Sequence, residues 1–374
     1  MPDLDDRDRR ALDEIATMRD ALRHQLRPGA QWTGQLRRNL TARAIVGSNT
    51  IEGYAATIDD VEALLEGEEP VETSDATRAE IEGYRRAMTY IQALSDAGTW
   101  FRYDAGLINA LHFMVQGHHL DKRPGRWRTR PVYVTSPDDP IVAAYTAPGA
   151  DQVPDLMDEL IAWLNEGDLD APVHVRASMA HLNLVNIHPW HDGNGRMSRA
   201  LSTLVFAREA LMPAVFSSIE EWLGAGQNTY AYYNVLAEVG GPVWSPERDT
   251  HPWIRFCLRA HHRQAQMAQR RFDSYARVWV SLAEATAREG FDERVVYALM
   301  PAVFGGRVRR SVYQHDAELA DQTAMRDLRE LVRAKWLQPE GNARARHYLP
   351  GPAMTPILTE VVRGMPPYTD PYRD

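Results

Sequence analysis

Between residues 188 and 199 the chain reads His188-Pro-Trp190-His-Asp192-Gly193-Asn194-Gly195-Arg196-Met197-Ser198-Arg199, and four kinds of group in it bear on phosphate chemistry. Gly193-Asn194-Gly195 opening a helix makes a concave run of backbone N–H groups, reinforced by the positive end of the helix dipole, which favours an anion. Arg196 and Arg199, three apart, take neighbouring positions on one helix face, and two forked guanidiniums suit a polyphosphate. Asp192 offers a hard oxygen for Mg²⁺ shared with that polyphosphate. His188, with an ordinary pKa of about 6.5, suits removal of a proton from an incoming hydroxyl near neutral pH. Singly, each has a bland explanation: a glycine turn, a solvated arginine face, a histidine ending a helix. Their coincidence within twelve residues, each meeting a different requirement, favours a site. A P-loop is absent, and the helical period before Gly193 excludes a dinucleotide fingerprint, which needs a strand there. A zinc site on His181, His188 and His191 is disfavoured, since His-Glu-x-x-His is missing and there is a single cysteine, Cys257.

The elements that must hold this loop are mostly helices. Leu12, Ile15, Met18, Leu22 and Leu26 recur at the amphipathic-helix period, as do the stretches from Val61 to Leu65, Ile81 to Leu94 and Val153 to Leu164. Met179, Leu182 and Val185 put one apolar stripe on a helix that stops at Pro189. The glycine loop follows, and Arg196 to Leu211 is helical again, with Leu201, Leu204 and Val205 inward. Further helices are expected over Ile219 to Leu223, Tyr230 to Val239 and Trp253 to Val280. Pro124-Gly125, then Trp127, Val132 and Val134, interrupt the helices and predict a short β-hairpin within 123–135, its far end at the turn-rich Ser136-Pro-Asp-Asp-Pro140.

With these residues in view, the 188–199 stretch resembles the signature of Fic-domain proteins, His-x-Phe-x-[Asp/Glu]-Gly-Asn-Gly-Arg-x-x-Arg, with Trp190 where Phe is usual. Gly125-Arg-Trp-Arg128 with Val132-Tyr-Val134 resembles the family's flap hairpin, and Tyr230 to Leu236 its downstream nucleotide-site helix; together the likeness covers roughly Leu107 to Leu258. The resemblance implies transfer of AMP from ATP to a Ser, Thr or Tyr hydroxyl of a target protein. His188 is then the base and Asp192 holds Mg²⁺. Asn194 and the amides of Gly193 and Gly195 steady phosphate, and Arg196 and Arg199 hold the β- and γ-phosphates. Met197, Ser198, Tyr232 and Tyr233 complete the implied nucleotide site. Flap residues Val132 and Val134 would present an edge to which a target segment adds as a strand.

Ser48-Asn-Thr-Ile-Glu52-Gly53 resembles the family's inhibitory motif, [Ser/Thr]-x-x-x-Glu-[Gly/Asn]. Asn49 with Glu52 three later also reads, taken alone, as a capping box at a helix start, and the signature elsewhere in the chain favours the inhibitory reading. Ser48 and Glu52, four apart, would share a helix side. On the resemblance, Glu52 pairs with Arg199 and leaves ATP bound unproductively, while in some relatives the same glutamate aligns water to remove AMP.

Farther on, Leu319, Ala320, Ala324, Leu328 and Leu331 fit a helical pair joined near Asp321-Gln-Thr323, followed by a hairpin from Trp336 to Leu349. This order resembles a winged helix-turn-helix, a frequent companion of Fic cores. From Arg307 to Arg346 there are nine Arg/Lys against six Asp/Glu, in a chain of net charge -9. Arg326, Arg329 and Arg333 share a helix side, and Arg344 and Arg346 would project from the wing, so DNA is a candidate partner beside protein.

The 374 residues, 44% hydrophobic and 25% charged, are those of an ordinary globular chain, which excludes disordered, collagen-like and coiled-coil classes. One cysteine excludes an internal disulfide and fits the cytoplasm, and no apolar run approaches a membrane span of about 18 residues. The expected fold is mainly α: an N-terminal helical region with the inhibitory motif (1–100), a Fic core with a β-hairpin flap (101–280), a winged-helix-like domain (281–352) and a tail (353–374). The expected function is Mg²⁺-dependent protein adenylylation, including self-modification, restrained by Glu52, with ATP as substrate and a second copy of the chain as a candidate partner. The alternatives are a DNA-binding regulator whose nucleotide site is a sensor, a de-AMPylase, or transfer of another nucleotide.

Overall fold

The computed structural model describes residues 1–26, 30–70, 72–96, 101–135, 143–209, 212–341, 346–360 and 367–373. Helices α1 (Asp6–Gln25), α2 (Thr33–Ile51), α3 (Ile58–Leu65), α4 (Asp75–Asp96) and α5 (Ala105–Gln116) come first. Strands β1 (Tyr133–Thr135) and β2 (Ala143–Thr146) follow, then α6 (Val153–Glu166), α7 (Val173–Ile187) and α8 (Asn194–Glu209). Next come α9 (Glu220–Leu223), α10 (Gln227–Gly240), the long α11 (His251–Arg288), α12 (Val295–Val303), α13 (Arg310–Asp316) and α14 (Asp321–Arg333). The chain closes with β3 (Leu337–Glu340), β4 (His347–Pro350) and α15 (Thr355–Glu360). The protein is mainly helical, and its strands among the described residues form two antiparallel hairpins. No helix among them is long and apolar enough to cross a membrane.

The loop expected to carry chemistry connects α7 and α8, both of which are mostly buried. Val175, Ala177, Ala180, Leu182, Leu184 and Ile187 of α7 are all buried, so the single stripe expected from Met179, Leu182 and Val185 is in fact a helix apolar on several sides. Around it, Ile81, Ile91, Leu111, Val115, Met157, Leu160, Leu201 and Leu204 bring α4, α5, α6 and α8 into one core. A second core joins the far half of α11 and the tail helices to Leu22 of α1 and to Leu36 and Leu40 of α2. The tail therefore shares its apolar interior with the N-terminal helices.

Three expectations are corrected. The hairpin does not lie within 123–135: only residues 133–135 are strand, and their partner is β2, with Tyr133 opposite Thr146 and Val134 opposite Tyr145. Residues 123–132 are turns and loop, beginning with Arg123 in the left-handed region (φ 54°) and anchored by Arg128 beneath. The turn expected at 136–140 lies outside the described residues, as does Arg344. In the tail, the joint between the paired helices is at 317–320 rather than 321–323. Leu319 N–H bonds the Gln314 carbonyl at 2.9 Å around Glu318 (φ 51°), and Asp321 opens α14 at the helix end where a negative charge is favoured. Finally, the helix expected to stop at Val280 continues to Arg288, through the position where core and tail were divided.

The tail elements run α12, a backbone bridge at Val308, α13, α14, β3, β4, and Val308 pairs antiparallel with Tyr348 of β4. Arg307 and Arg309 both bond Asp59 of α3, and Gln35 and Arg38 of α2 both bond Asp316 at the end of α13. The first half of α2 is thus held by the tail, and its last turn reaches the α7–α8 loop.

Candidate active site

His188 ends α7 in a left-handed conformation (φ 53°), which turns the chain abruptly into the loop. Its Nδ1 lies 3.1 Å from the Val185 carbonyl. A carbonyl only accepts, so the neutral ring carries its hydrogen on Nδ1 and leaves Nε2 as the basic nitrogen. Burial pushes the imidazole pKa below its ordinary value, keeping the ring neutral at physiological pH.

The loop is held rigid from below. Trp190 is fully buried and its indole N–H donates to Asn109 Oδ1 at 3.0 Å, a partner that phenylalanine would not need. Asn194 closes the loop on itself: its Oδ1 accepts from Trp190 N–H and its Nδ2 donates to the Trp190 carbonyl, both at 3.0 Å. His112 stacks on Trp190 with ring centroids 4.3 Å apart. Its Nδ1 accepts from Gly125 N–H at 2.9 Å, so its Nε2–H donates to the Asp192 carbonyl, also at 2.9 Å. Burial holds that ring down at about 4, so it remains a neutral brace. Arg128, almost wholly buried, collects the carbonyls of His188, Pro148 and Arg130, and its own N–H bonds the Pro189 carbonyl at 2.8 Å. These bonds neutralise the carbonyl end of α7 and tie the flap base to the loop.

Asp192 is half-buried, with Oδ1 taking the Gly193 N–H at 2.7 Å. Its second carboxylate oxygen has no hydrogen bond among the described residues, which fits a hard divalent cation. Gly193 adopts φ 76°, and a Cβ there would stand 2.8 Å from the Gln116 side chain, so glycine is required twice over.

Both arginines are buried and both are held by carboxylates from other helices. Arg199 Nε donates to Ser48 Oγ at 2.8 Å, and Nη2 donates to the Ser48 carbonyl at 3.0 Å and to Glu52 Oε1 at 2.7 Å. Burial alone would lower the pKa of this guanidinium; the charge and hydrogen bond of Glu52, together with Tyr232 and Tyr84, outweigh it and hold the pKa above its ordinary value. Arg196 bonds Glu80 of α4, which also lies 3.1 Å from His118 Nε2 and 2.8 Å from His119 Nε2. Burial opposes the charged form of Glu80, but Arg196 and the two histidines bring its pKa down to about 2.

The capping-box reading of Asn49 and Glu52 is overturned. Asn49 lies inside α2, near its end, and the Tyr54 and Gly53 N–H groups bond the Asn49 and Thr50 carbonyls, each at 3.0 Å, with Gly53 at φ 87°. This is a helix-ending motif that needs glycine at its turn. It delivers Ser48 and Glu52 together to Arg199.

Of the residues expected at the site, His188, Asp192, Gly193, Gly195, Arg196 and Arg199 gather around one loop, with Ser48, Glu52 and Gly53 against it. Met197 and Ser198 are corrected: the first is buried in the apolar core and the second returns its hydroxyl to the Asn194 carbonyl at 2.8 Å, because their helix positions face inward. Tyr232 and Tyr233 stand on α10 beside the end of α2. Tyr232 is buried with its hydroxyl 2.9 Å from His181 Nε2, and the Tyr233 hydroxyl donates to the Ile51 carbonyl at the end of α2. On the flap, Val134 is exposed and Val132 half-buried. Glu80, His112, Gln116 and the anchoring role of Arg128 were missed; Arg128 alone carried a signal, inside Gly125-Arg-Trp-Arg128.

A histidine ending one buried helix, a paired-arginine start to the next and a flap hairpin on a helical core define the Fic architecture. Residues 102–206 match the sequence model of the Fic/DOC family, and this part of the chain is a Fic domain. Protein adenylyltransferase Fic of Culex quinquefasciatus is 29% identical over 254 residues, 67% of this chain and 45% of that protein. The protein of the same description from Nematostella vectensis is 26% identical over 267 residues, 70% of this chain and 56% of that one. The chain spans about half the length of the curated relatives it matches. Among solved structures, a Fic family protein from Desulfovibrio desulfuricans G20 superposes with TM-score 0.59 at 21% identity, covering 94% of this chain and 98% of its own. Fic-1 of C. elegans (residues 134–508) superposes with TM-score 0.56 at 24% identity over 72% of this chain and 73% of its own. These likenesses show the fold.

Proposed function

We propose that the protein transfers AMP from ATP to a hydroxyl side chain of target proteins, and that Glu52 restrains it. The observation that carries this reading is that His188, its Nδ1 turned to the Val185 carbonyl and its Nε2 left basic, ends α7 directly before the loop that opens α8. The hydroxyl proton passes to His188 Nε2 as the hydroxyl oxygen bonds the α-phosphorus. The bond from that phosphorus to the bridging oxygen breaks on the opposite side, and pyrophosphate leaves. The Gly195 amide and the dipole of α8 stabilise charge developing on phosphate oxygens, and the base contributes roughly 10²–10⁴-fold. Asp192 would hold Mg²⁺, which when bound neutralises phosphate charge. Asn194 supports the loop's shape, and Arg199, once released from Glu52, is the cation for the γ-phosphate.

ATP labelled in its α-phosphate tests this directly. Covalent label should enter a target or the protein itself, and His188→Ala should abolish it while ATP still binds. Label retained by the alanine variant removes His188 from its role, and γ-label incorporated in place of α-label would make the chemistry phosphorylation. Reverse removal of AMP is read by incubating labelled product with the parent protein and measuring released AMP.

A second reading, duplex DNA binding by the tail, is favoured by Arg326, Arg329 and Arg333, all exposed along α14. Affinity that falls steeply with salt, and falls further in Arg329→Ala, is its signature.

A further inference from the structure

We propose that the segment from Lys122 to Arg130 is a basic rim that selects acidic targets, so that the hydroxyl accepting AMP is flanked by aspartate or glutamate. This inference rests on the reading that the flap receives a target strand, and it adds the chemistry of that strand.

Lys122-Arg123-Pro-Gly-Arg126-Trp-Arg128-Thr-Arg130 holds five cations in nine residues. No acidic residue occurs between Asp121 and Asp138, in a chain whose net charge is -9. Arg128 is consumed by the carbonyls beneath the loop, but Lys122, Arg123, Arg126 and Arg130 are exposed. Among the described residues none of these four is paired with a carboxylate; Arg123 makes a 3.4 Å bond to Thr129 Oγ1. Elsewhere among the described residues, half-buried arginines such as Arg38, Arg43, Arg271, Arg294 and Arg307 have carboxylate partners. Cations left bare beside a site are available to a ligand.

Their position is set by the anchors already described. Gly125 N–H is fixed on His112, Trp127 lies against Trp190 with ring centroids 5.2 Å apart, and Arg128 is locked under His188. The rim therefore borders the catalytic loop itself. Downstream the segment runs directly into β1. The opposite strand of the flap is already occupied at Thr146, which pairs with Val243, whereas Tyr133 and Val134 of β1 are exposed. An extended segment adding to β1 has its flanking side chains beside bare cations, where acidic residues gain attraction and basic ones meet repulsion.

The test uses the full chain and two synthetic peptides, each with one threonine, flanked on both sides by glutamates in one and by lysines in the other. Fluorescence anisotropy should show the glutamate peptide binding more tightly, the preference shrinking between about 0.05 and 0.3 M salt. Lys122→Glu/Arg130→Glu, at two exposed positions that bond only through their backbones, should weaken the glutamate peptide roughly tenfold and narrow or invert the preference. Lys122→Arg/Arg130→Lys should restore it. In the Glu52→Gly background the same reversal should raise KM for the glutamate peptide and leave kcat near its parent value. Equal binding of the two peptides, or reversal without effect in a variant whose melting matches the parent, overturns the proposal. So does displacement of the peptide by an oligonucleotide of equal charge or by ATP, since the rim would then be a phosphate surface. If the acidic preference holds and no peptide is ever labelled, the transfer reading fails while the rim stands.

Discussion

Glu52 Oε1 accepts from Arg199 Nη2 at 2.7 Å and lies only 2.6 Å from where a Cβ on Gly195 would stand. One carboxylate thus lies against both the cation and the amide turn that a triphosphate would use, and phosphate must displace it. A hydrogen bond to a charged group contributes about 1.5–3 kcal/mol, so Glu52→Gly should raise self-labelling by about 10- to 100-fold. Ser48→Ala removes one bond from Arg199 to an uncharged partner and leaves Glu52 in place, so it should raise labelling several-fold less. Labelling rates of purified variants with α-labelled ATP check both, and an unchanged rate in Glu52→Gly refutes the restraint.

Arg196 has a comparable partner in Glu80, but that pair is buried on both sides, with 2% exposure each. Removing one member of such a pair strands the other, at a cost of about 3–5 kcal/mol. Glu80→Ala should therefore lower the urea midpoint strongly, whereas Glu52→Gly, which leaves the buried Arg199 its two bonds to Ser48, should lower it less. Glu80 has its pKa depressed to about 2, so its contribution to stability is present above the ordinary value of 4.5 and is lost as pH falls toward 2. Acid unfolding curves of the parent should show this window, and those of Glu80→Ala should have a shallower slope across it.

His188 acts as a base only when neutral. Because burial lowers its pKa below 6.5, neutrality extends to more acidic pH than for an exposed histidine. In the Glu52→Gly background, kcat/KM for labelling should be flat through neutral pH and fall only as pH drops through a value below 6.5. An acidic limb centred above 6.5 would contradict the burial of this ring or its role.

The sequence exposed what is local and hid what is long-range. Asp192, Gly193 and Gly195 were legible because each residue type has a chemical reason at its place in a contiguous loop, and the helices because burial on one side repeats at helical spacing. Glu80 was not: it lies in the first turns of an amphipathic helix, where a glutamate is ordinarily solvated, and only folding brings it to Arg196. His112 likewise reads as one more residue of α5. The flap was placed a strand too early because Trp127 and Val132 favour extended backbone, yet Arg128 is drawn into capping α7 and its neighbours cannot join a ladder. Asn49 and Glu52 carried two readings because a capping box and a helix end share residue types; the positive φ of Gly53 decides between them.

Trp190 departs from the phenylalanine of the family signature, and its surroundings have adjusted. The indole N–H is bonded to Asn109, and His112 stacks on the ring with its plane within 2° of parallel. Trp190→Phe keeps the buried aromatic but leaves Asn109 Oδ1 without its donor and opens space beside His112, so it should cost about 1–3 kcal/mol. Trp190→Phe/Asn109→Leu removes the stranded acceptor and should recover part of that loss, which thermal unfolding of the three proteins measures. Because Asn194 closes the loop through the backbone of residue 190, labelling at a temperature where all three are folded should remain close to the parent's. Loss of labelling in a well-folded Trp190→Phe would mean that the indole positions His188 as well as filling the core.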